Sequence, residues 1–164
     1  MSDRLAAALA KWRAPATVQQ HRRRIAEQFY RMFCPDRIGE IEFIDFNYPV
    51  RDVRIEKGTK LAGFKDPRVS PFRTTFFTVP GTPVQILGVH AVGNLKTNPK
   101  ALGKVLNEYE VLVPIAHALE SVCANGIDAW SEKGQAHPVA GGGWQYKIPH
   151  PERYIRYTTP FPQR

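Results

Sequence analysis

The sequence predicts an α+β protein in which N-terminal helices pack on a small mixed or antiparallel β core. Helical periodicity appears only near the N-terminus, and short β-like runs separated by turn-forming residues fill the rest of the chain. The 164 residues include 14 prolines and 12 glycines, which suits short strands joined by loops. This length supports one domain with a proper core. We therefore expect a single domain over residues 1–164, helical over 1–50 and β-rich over 51–164.

The first predicted element is a helix over residues 17–33. Thr17 is a suitable N-cap, because its hydroxyl can accept a hydrogen bond from the first turn. The apolar side chains of this segment fall near one stripe: Val18, Ile25, Phe29 and either Met32 or Phe33. Most of the basic cluster Arg22–Arg24 then points outward. Pro35 ends the helix, because proline cannot continue it, and a short second helix is predicted over residues 36–42.

Short β-like runs follow, bounded by glycine, proline, asparagine and aspartate. They are Val53–Ile55, Lys60–Phe64, Thr74–Val79, Tyr109–Val113 and Trp144–Ile148. Residues 83–89 fit either a helical turn or a buried strand, since periodicity does not distinguish the two. Residues 100–106 fit a short helix.

Three consecutive glycines, Gly141–Gly143, lead directly into the last of these runs. Glycine lets the backbone turn sharply and lie close to another surface. Alternation along the strand places Gln145 on one face and Trp144 and Tyr146 on the other. An amide beside two aromatic rings suits a nucleotide or a sugar. The alternative is an edge strand with a flexible lead-in.

The net charge of +8 is unevenly spread along the chain. Residues 57–104 hold eight basic residues against one acid, whereas residues 105–146 hold one basic residue against five acids. A basic block of this kind fits a phosphate-bearing ligand or a nucleic acid. The alternative is an ordinary solvated face.

Several classes of protein and site are not indicated. Cys34 and Cys123 are the two cysteines, too few for a disulfide framework. The five histidines show no metal-ligand spacing, so no metal is expected. The apolar run at residues 5–10 is too short for a secretory signal peptide, and no run approaches a membrane span.

Several motifs, each weak alone, recur together in a fixed order. They are Ala26–Tyr30, Ile44–Phe46, Lys57–Leu61, Phe76–Thr78 with Pro80–Pro83, Glu108–Val111, Ile127–Trp130, and Gly141–Gly143 with Gln145-Tyr146. Over residues 26–149 the chain resembles the bacterial polymorphic toxin type 46 family, within the NAD-consuming toxins of the ADP-ribosyltransferase fold. It departs from that family where Gly63 and Phe64 follow the Lys-Leu pair in place of a glutamine. It also departs around Trp130, where the acids are Asp128 and Glu132.

The resemblance implies a split β core of the ADP-ribosyltransferase type, with NAD as substrate and no metal. It implies a catalytic role for Gln145 and for one of two acids, Glu132 and Asp128. It places Lys60 and Arg73 as candidates for the pyrophosphate. The other residues expected near NAD are Gly63, Phe64, Phe76, Phe77, Thr78 and Trp144. For each of these the alternative is a structural or surface role.

The resemblance also implies a function, namely a toxin that cleaves the nicotinamide–ribose bond as an NAD(P) glycohydrolase. A mono-ADP-ribosyltransferase acting on a protein or structured RNA is the alternative, which the basic block favours. A basic nucleic-acid-binding module without enzymatic activity is the third. A cognate immunity protein is expected for either toxin. Action in the cytoplasm of a target cell, after delivery by a specialised secretion system, is also expected.

Overall fold

One long helix and two antiparallel sheets organise the chain in a computed structural model, which describes residues 13–65, 75–88, 105–128, 134 and 136–158. The helix α1 spans Ala16–Phe33 and is followed by a 3-10 helix, Pro35–Phe43. The strands are β1 Arg51–Ile55, β2 Lys60–Lys65, β3 Phe76–Phe77, β4 Val105–Val111, β5 Ile115–Val122, β6 Gly126–Asp128, β7 His137–Val139, β8 Trp144–Lys147 and β9 Ile155–Tyr157. The prediction of an α+β protein with its helices near the N-terminus is confirmed.

The buried face of α1 is formed by Ala26, Phe29 and Tyr30. The predicted stripe is confirmed at Phe29, which is buried, and at Ile25 and Phe33, which pack against the same core, whereas Met32, the alternative to Phe33, is 71% exposed. Thr17 is not the N-cap, because Pro15 occupies that position and no side chain caps the helix. The carbonyl of Pro15 accepts the amides of Val18 and Gln19, each at 3.0 Å, and so begins the helical hydrogen bonds.

The larger sheet has four strands in the order β1-β5-β8-β3, all antiparallel. The central strand β5 was not predicted from the sequence. Its residues include alanine, leucine and glutamate, which favour helices, and its burial does not alternate. The predicted closeness of residues 144–148 to residues 74–79 is confirmed, because Phe76 pairs with Lys147 and Phe77 with Tyr146.

The smaller sheet has three strands in the order β2-β4-β9, and β6 and β7 form a separate hairpin-like pair. Among the described residues, a single bridge joins the two sheets. Ala62 and Thr78 exchange backbone hydrogen bonds of 2.9 and 2.8 Å. The β core is thus split into two sheets that are bridged at Ala62 and Thr78.

Two apolar cores flank the four-stranded sheet. On its inner face, which faces the three-stranded sheet, side chains from both sheets pack together: Ile55, Leu61, Phe77, Tyr109, Val111, Ile115, Ala118, Ile148 and Ile155. On its outer face, Leu119 packs with α1 and the following 3-10 helix. Each predicted site residue on this sheet therefore points either to the second sheet or to the helical layer.

Other predicted boundaries are corrected by the structure. The strand β4 starts at Val105 and ends at Val111, so Leu112 and Val113 lie in a bend. The helix predicted over residues 100–106 is wrong at residues 105 and 106, which are in β4, and residues 100–104 lie outside the described part. The segment Val84–Ile86 forms a helical turn, one of the two predicted alternatives.

A buried ion pair connects the helical part to the β core. Lys147 Nζ lies 2.6 Å from Glu40 Oε1, and the two side chains are 3% and 12% exposed. The ammonium group also contacts Thr75 Oγ1 and lies 5.0 Å from the centre of the Phe76 ring. Tyr30 donates a hydrogen bond of 3.3 Å to the same carboxylate, so the charges are paired and hydrogen-bonded inside the protein.

The glycine run passes very close to another backbone segment. A Cβ atom on Gly141 would overlap the carbonyl oxygen of Cys123 and lie 2.5 Å from the carbonyl carbon of Ala124. The amide of Gly142 donates a 2.8 Å hydrogen bond to the Cys123 carbonyl, and that of Gly143 bonds Ile86 at 2.9 Å. The run therefore allows a tight backbone crossing.

Candidate functional site

The strand β8 divides the predicted ligand-binding residues between its two faces. Trp144 and Tyr146 point to the inner face, and Gln145 and Lys147 point to the outer face. The predicted alternation is confirmed. Because of it, Gln145 and Trp144 cannot lie side by side against one small ligand.

The amide of Gln145 is held by protein partners on the outer face. Its Nε2 donates to Ser121 Oγ at 3.2 Å and to the Phe43 carbonyl at 3.3 Å. Its Oε1 accepts the thiol of Cys123 at 2.8 Å. Burial raises the pKa of this thiol to about 12, so it remains a neutral donor. These contacts match the structural alternative for Gln145, and its catalytic role stays a prediction.

The two phenylalanines of β3 also face opposite ways. Phe77 is buried in the inner core, as predicted for one of the pair. Phe76 lies on the outer face near Lys147 and Phe43, so it lines the helix side and not the inner face. Thr78 is buried, and its hydroxyl donates a 2.7 Å hydrogen bond to the Trp144 carbonyl.

The candidates on β2 are likewise split. Lys60 lies on the outward side of the three-stranded sheet, where its Nζ is 3.4 Å from Glu110 Oε2. Alternation puts Phe64 on the same side and Gly63 on the inner side with Leu61. Gly63 is buried opposite Asn107. Of these three residues, only Gly63 faces the second sheet.

Of the two predicted acids, only Asp128 can be placed. It ends β6 opposite His137 and is completely buried. Glu132 and Arg73 lie outside the described residues, so their predicted roles stay predictions.

One row of side chains crosses the inner face of the four-stranded sheet. Arg51 pairs with Glu120, Glu120 with Tyr146, and Tyr146 with Phe77. Paired residues on neighbouring strands share a face, so a cation, a carboxylate, a phenol and a phenyl ring stand side by side. Phe77 is buried beneath the other sheet, whereas Arg51 is exposed and the two residues between them are partly buried.

The inner face is therefore covered at Phe77 and open at Arg51, and in the next row Val122 is buried while its partner Trp144 is partly open. Trp144, one row further from the shared core, is 39% exposed. We define the inner-face site as Arg51, Glu120, Tyr146 and Trp144. It offers aromatic surface, one carboxylate and one guanidinium, the groups that a nucleotide with a ribose and phosphates requires.

Glu120 and Tyr146 lie directly opposite each other on β5 and β8. The pKa of Tyr146 is raised by burial first, and further by the charge of the Glu120 carboxylate and the hydrogen bond to it. A tyrosine in this setting stays protonated and donates its O–H to the carboxylate. The phenol therefore stands where it can orient the carboxylate on the inner face.

Sequence reasoning missed Glu120, and it also missed the buried Lys147. Each is a charged residue within a strand that also carries apolar residues. Such a residue indicates either a buried ion pair or a functional group. The signal at Glu120 was hidden because β5 itself was not predicted.

Two arginines of the basic cluster on α1, Arg22 and Arg23, already have partners within the protein. Arg22 donates to the Phe46 carbonyl at 3.0 Å. Arg23 pairs with Glu42 at 2.9 Å and with Glu27 at 3.3 Å. These partners reduce the positive charge that the cluster offers to a nucleic acid.

Two further findings concern ions and membranes. Within the described residues, no three His, Cys, Asp or Glu side chains come together as a metal site would require. No helix in that same part of the chain is long and apolar enough to cross a membrane.

Comparison with protein families gives a match to the family described as "Bacterial toxin 46" over residues 22–154, most of the chain. The chain belongs to this family. The resemblance found from the sequence is therefore confirmed, and the protein is a bacterial toxin by family. Comparison with curated proteins gives no match.

Comparison with solved structures finds the fold of the toxin in a chain from the structure of Tse6 in complex with Tsi6. The TM-score is 0.67, with 20% identity, covering 87% of this chain and 98% of that one. A weaker likeness, with a TM-score of 0.44 and 14% identity, is to the structure of Rhs1-CT in complex with its cognate immunity protein RhsI1. It covers 69% of this chain and 80% of that one.

Proposed function

We propose that this toxin binds NAD in the inner-face site and cleaves its nicotinamide–ribose bond with water, as an NAD(P) glycohydrolase. The observation that carries the proposal is the half-covered inner face, where Trp144 and Tyr146 stand beside a carboxylate. Membership of a toxin family supports a reaction that harms a cell. A β core split into two sheets, which within the described residues are bridged at Ala62 and Thr78, is also what the resemblance to toxins of the ADP-ribosyltransferase type implies.

Cleavage of the nicotinamide–ribose bond requires groups that the inner-face site contains. When the bond breaks, its electron pair leaves with nicotinamide, and the ribose carbon becomes an oxocarbenium-like cation. Nicotinamide leaves as a neutral base, so no acid is needed for it. The protein has to stack the aromatic ring, hold the phosphates and stabilise the cation. Trp144 and Tyr146 supply the stacking surface, and Arg51 supplies a fork-shaped group for phosphate oxygens.

We also propose that a cognate immunity protein binds this toxin and that the toxin acts in the cytoplasm of a target cell after delivery by a specialised secretion system. Family membership supports both proposals, since a toxin-producing cell requires protection. A solved structure with the same fold contains Tse6 together with Tsi6.

Incubation of the purified protein with NAD alone, and then with bacterial lysate pretreated with protease or ribonuclease, tests the reaction. A glycohydrolase needs only water, so NAD should disappear at one rate in every tube, with free ADP-ribose as product. NADP in place of NAD tests the cofactor preference.

The contrary outcomes are distinct. Acceptor-dependent labelling with slow turnover in buffer would make the protein a mono-ADP-ribosyltransferase, and loss of labelling after ribonuclease would identify RNA as acceptor. Stable NAD in every tube, with binding of nucleic acid, would favour the non-enzymatic module. The paired arginines of α1 give less support to a macromolecular acceptor than the sequence alone suggested.

A further inference from the structure

Glu120 is the one carboxylate on the described inner face of the four-stranded sheet. It stands in the middle of β5, between Arg51 on one neighbouring strand and Tyr146 on the other. Its side chain is partly buried, and it makes no ion pair within the described part of the chain. Arg51 is therefore its nearest cross-strand cation, although the two do not form an ion pair.

Tyr146 leaves most of the acceptor positions of the Glu120 carboxylate available to a ligand. A carboxylate has two oxygens and about four acceptor positions. The Tyr146 hydroxyl, directly across on β8, can use at most one of these positions, and the pKa of that phenol is raised by burial and further by the carboxylate. Trp144 lies two residues before Tyr146 on the same face and is exposed. A sugar stacked beside Trp144 would thus meet the free carboxylate oxygen.

We propose that Glu120 is the carboxylate that contacts the ribose of NAD and supports its cleavage, with Tyr146 as its positioning residue. This inference rests on the proposed NAD cleavage. As the bond between the ribose carbon and nicotinamide breaks, its electron pair leaves with the nicotinamide nitrogen, and the carboxylate stabilises the cation. Glu120 then takes a proton from water, the water oxygen bonds to the ribose carbon, and the products are ADP-ribose, nicotinamide and one proton.

The predicted catalytic residues that the structure describes are less suited to this contact. Gln145 faces the other side of the sheet, and its donors and acceptor are already used. Asp128 is completely buried at the end of β6. Glu120 combines a partly accessible carboxylate with an adjacent aromatic surface.

Glu120→Gln is the first test, because it keeps the size of the side chain and its capacity to accept from Tyr146. We expect kcat for NAD hydrolysis to fall by roughly 10²–10⁴-fold, the range for loss of a general base, with KM changed much less. Glu56→Gln is the matched control. Glu56 follows β1, is exposed, and pairs with Arg54 at the surface, so its variant should keep wild-type turnover.

Chemical rescue separates a catalytic role from a structural one. In Glu120→Ala, added formate should restore turnover in a concentration-dependent way, since an external carboxylate can replace the missing base. A structural role predicts no rescue and a lower melting temperature. Tyr146→Phe should lower kcat by a smaller factor, because the carboxylate remains but loses its fixed orientation.

The outcomes identify which proposal fails. Wild-type turnover in Glu120→Gln, with NAD still hydrolysed by the parent protein, would overturn the role of Glu120 alone. Loss of activity in Glu120→Ala that formate does not restore, together with unfolding, would also overturn it. A wild-type protein that leaves NAD intact would overturn the proposed function, and the role of Glu120 with it.

Discussion

The role that a single side chain can play in this protein depends on the face of the sheet on which it lies. Gln145 and Trp144 are neighbours in sequence, yet one is enclosed against the helical layer and the other opens towards the second sheet. Strand alternation was predictable from the sequence. The partners that occupy the Gln145 amide were not, because Phe43, Ser121 and Cys123 are distant in the chain.

Replacement of Gln145 by alanine should therefore lower stability. The change leaves the Ser121 hydroxyl and the Phe43 carbonyl without their partner, which costs about 1–3 kcal/mol for a buried group. Urea unfolding of Gln145→Ala should show this loss, whereas Gln28→Ala, at an exposed position on α1, should stay within about 0.5 kcal/mol of wild type. An unchanged unfolding midpoint with lost NAD turnover would instead restore the predicted catalytic role.

At the scale of elements, prediction succeeded where the local pattern agreed with the final environment. The helix α1 and the strands β1, β2 and β8 were found close to their observed bounds. The central strand β5 was missed, because Ala116, Leu119 and Glu120 favour helices and only the two strands beside them impose an extended chain. The inner-face site was missed for the same reason, since its carboxylate lies on that strand.

The glycine run is also an element-scale feature, since it allows one backbone to cross another. Gly141→Ala should destabilise the protein by about 1–3 kcal/mol or more, because its Cβ would overlap backbone atoms that cannot rotate away. Gly126→Ala is the matched control, since a Cβ at that position meets nothing within 4 Å. Thermal unfolding of both variants measures the difference. Equal melting temperatures would mean that the crossing relaxes at little cost.

At the scale of the whole molecule, one buried ion pair joins the helical layer to the four-stranded sheet, beside the apolar core that they share. Lys147→Met should lower the free energy of unfolding by about 1–3 kcal/mol, since Glu40 would lose its buried partner and keep only the exposed Arg37, 3.1 Å away. The double variant Lys147→Met with Glu40→Leu should recover much of that loss. Lys57→Met, at an exposed turn, is the control. Urea denaturation measures all three, and a double variant no better than the single one would argue against charge pairing as the cause.

The same ion pair restricts how this domain can exchange parts with its relatives. Glu40 and Lys147 are 107 positions apart, on segments that recombination would readily separate. A hybrid that takes its helical layer from one relative and its sheets from another would bury an uncompensated charge unless both parents carry the pair. We expect the two positions to change together among family members, as acid with base or as two apolar residues.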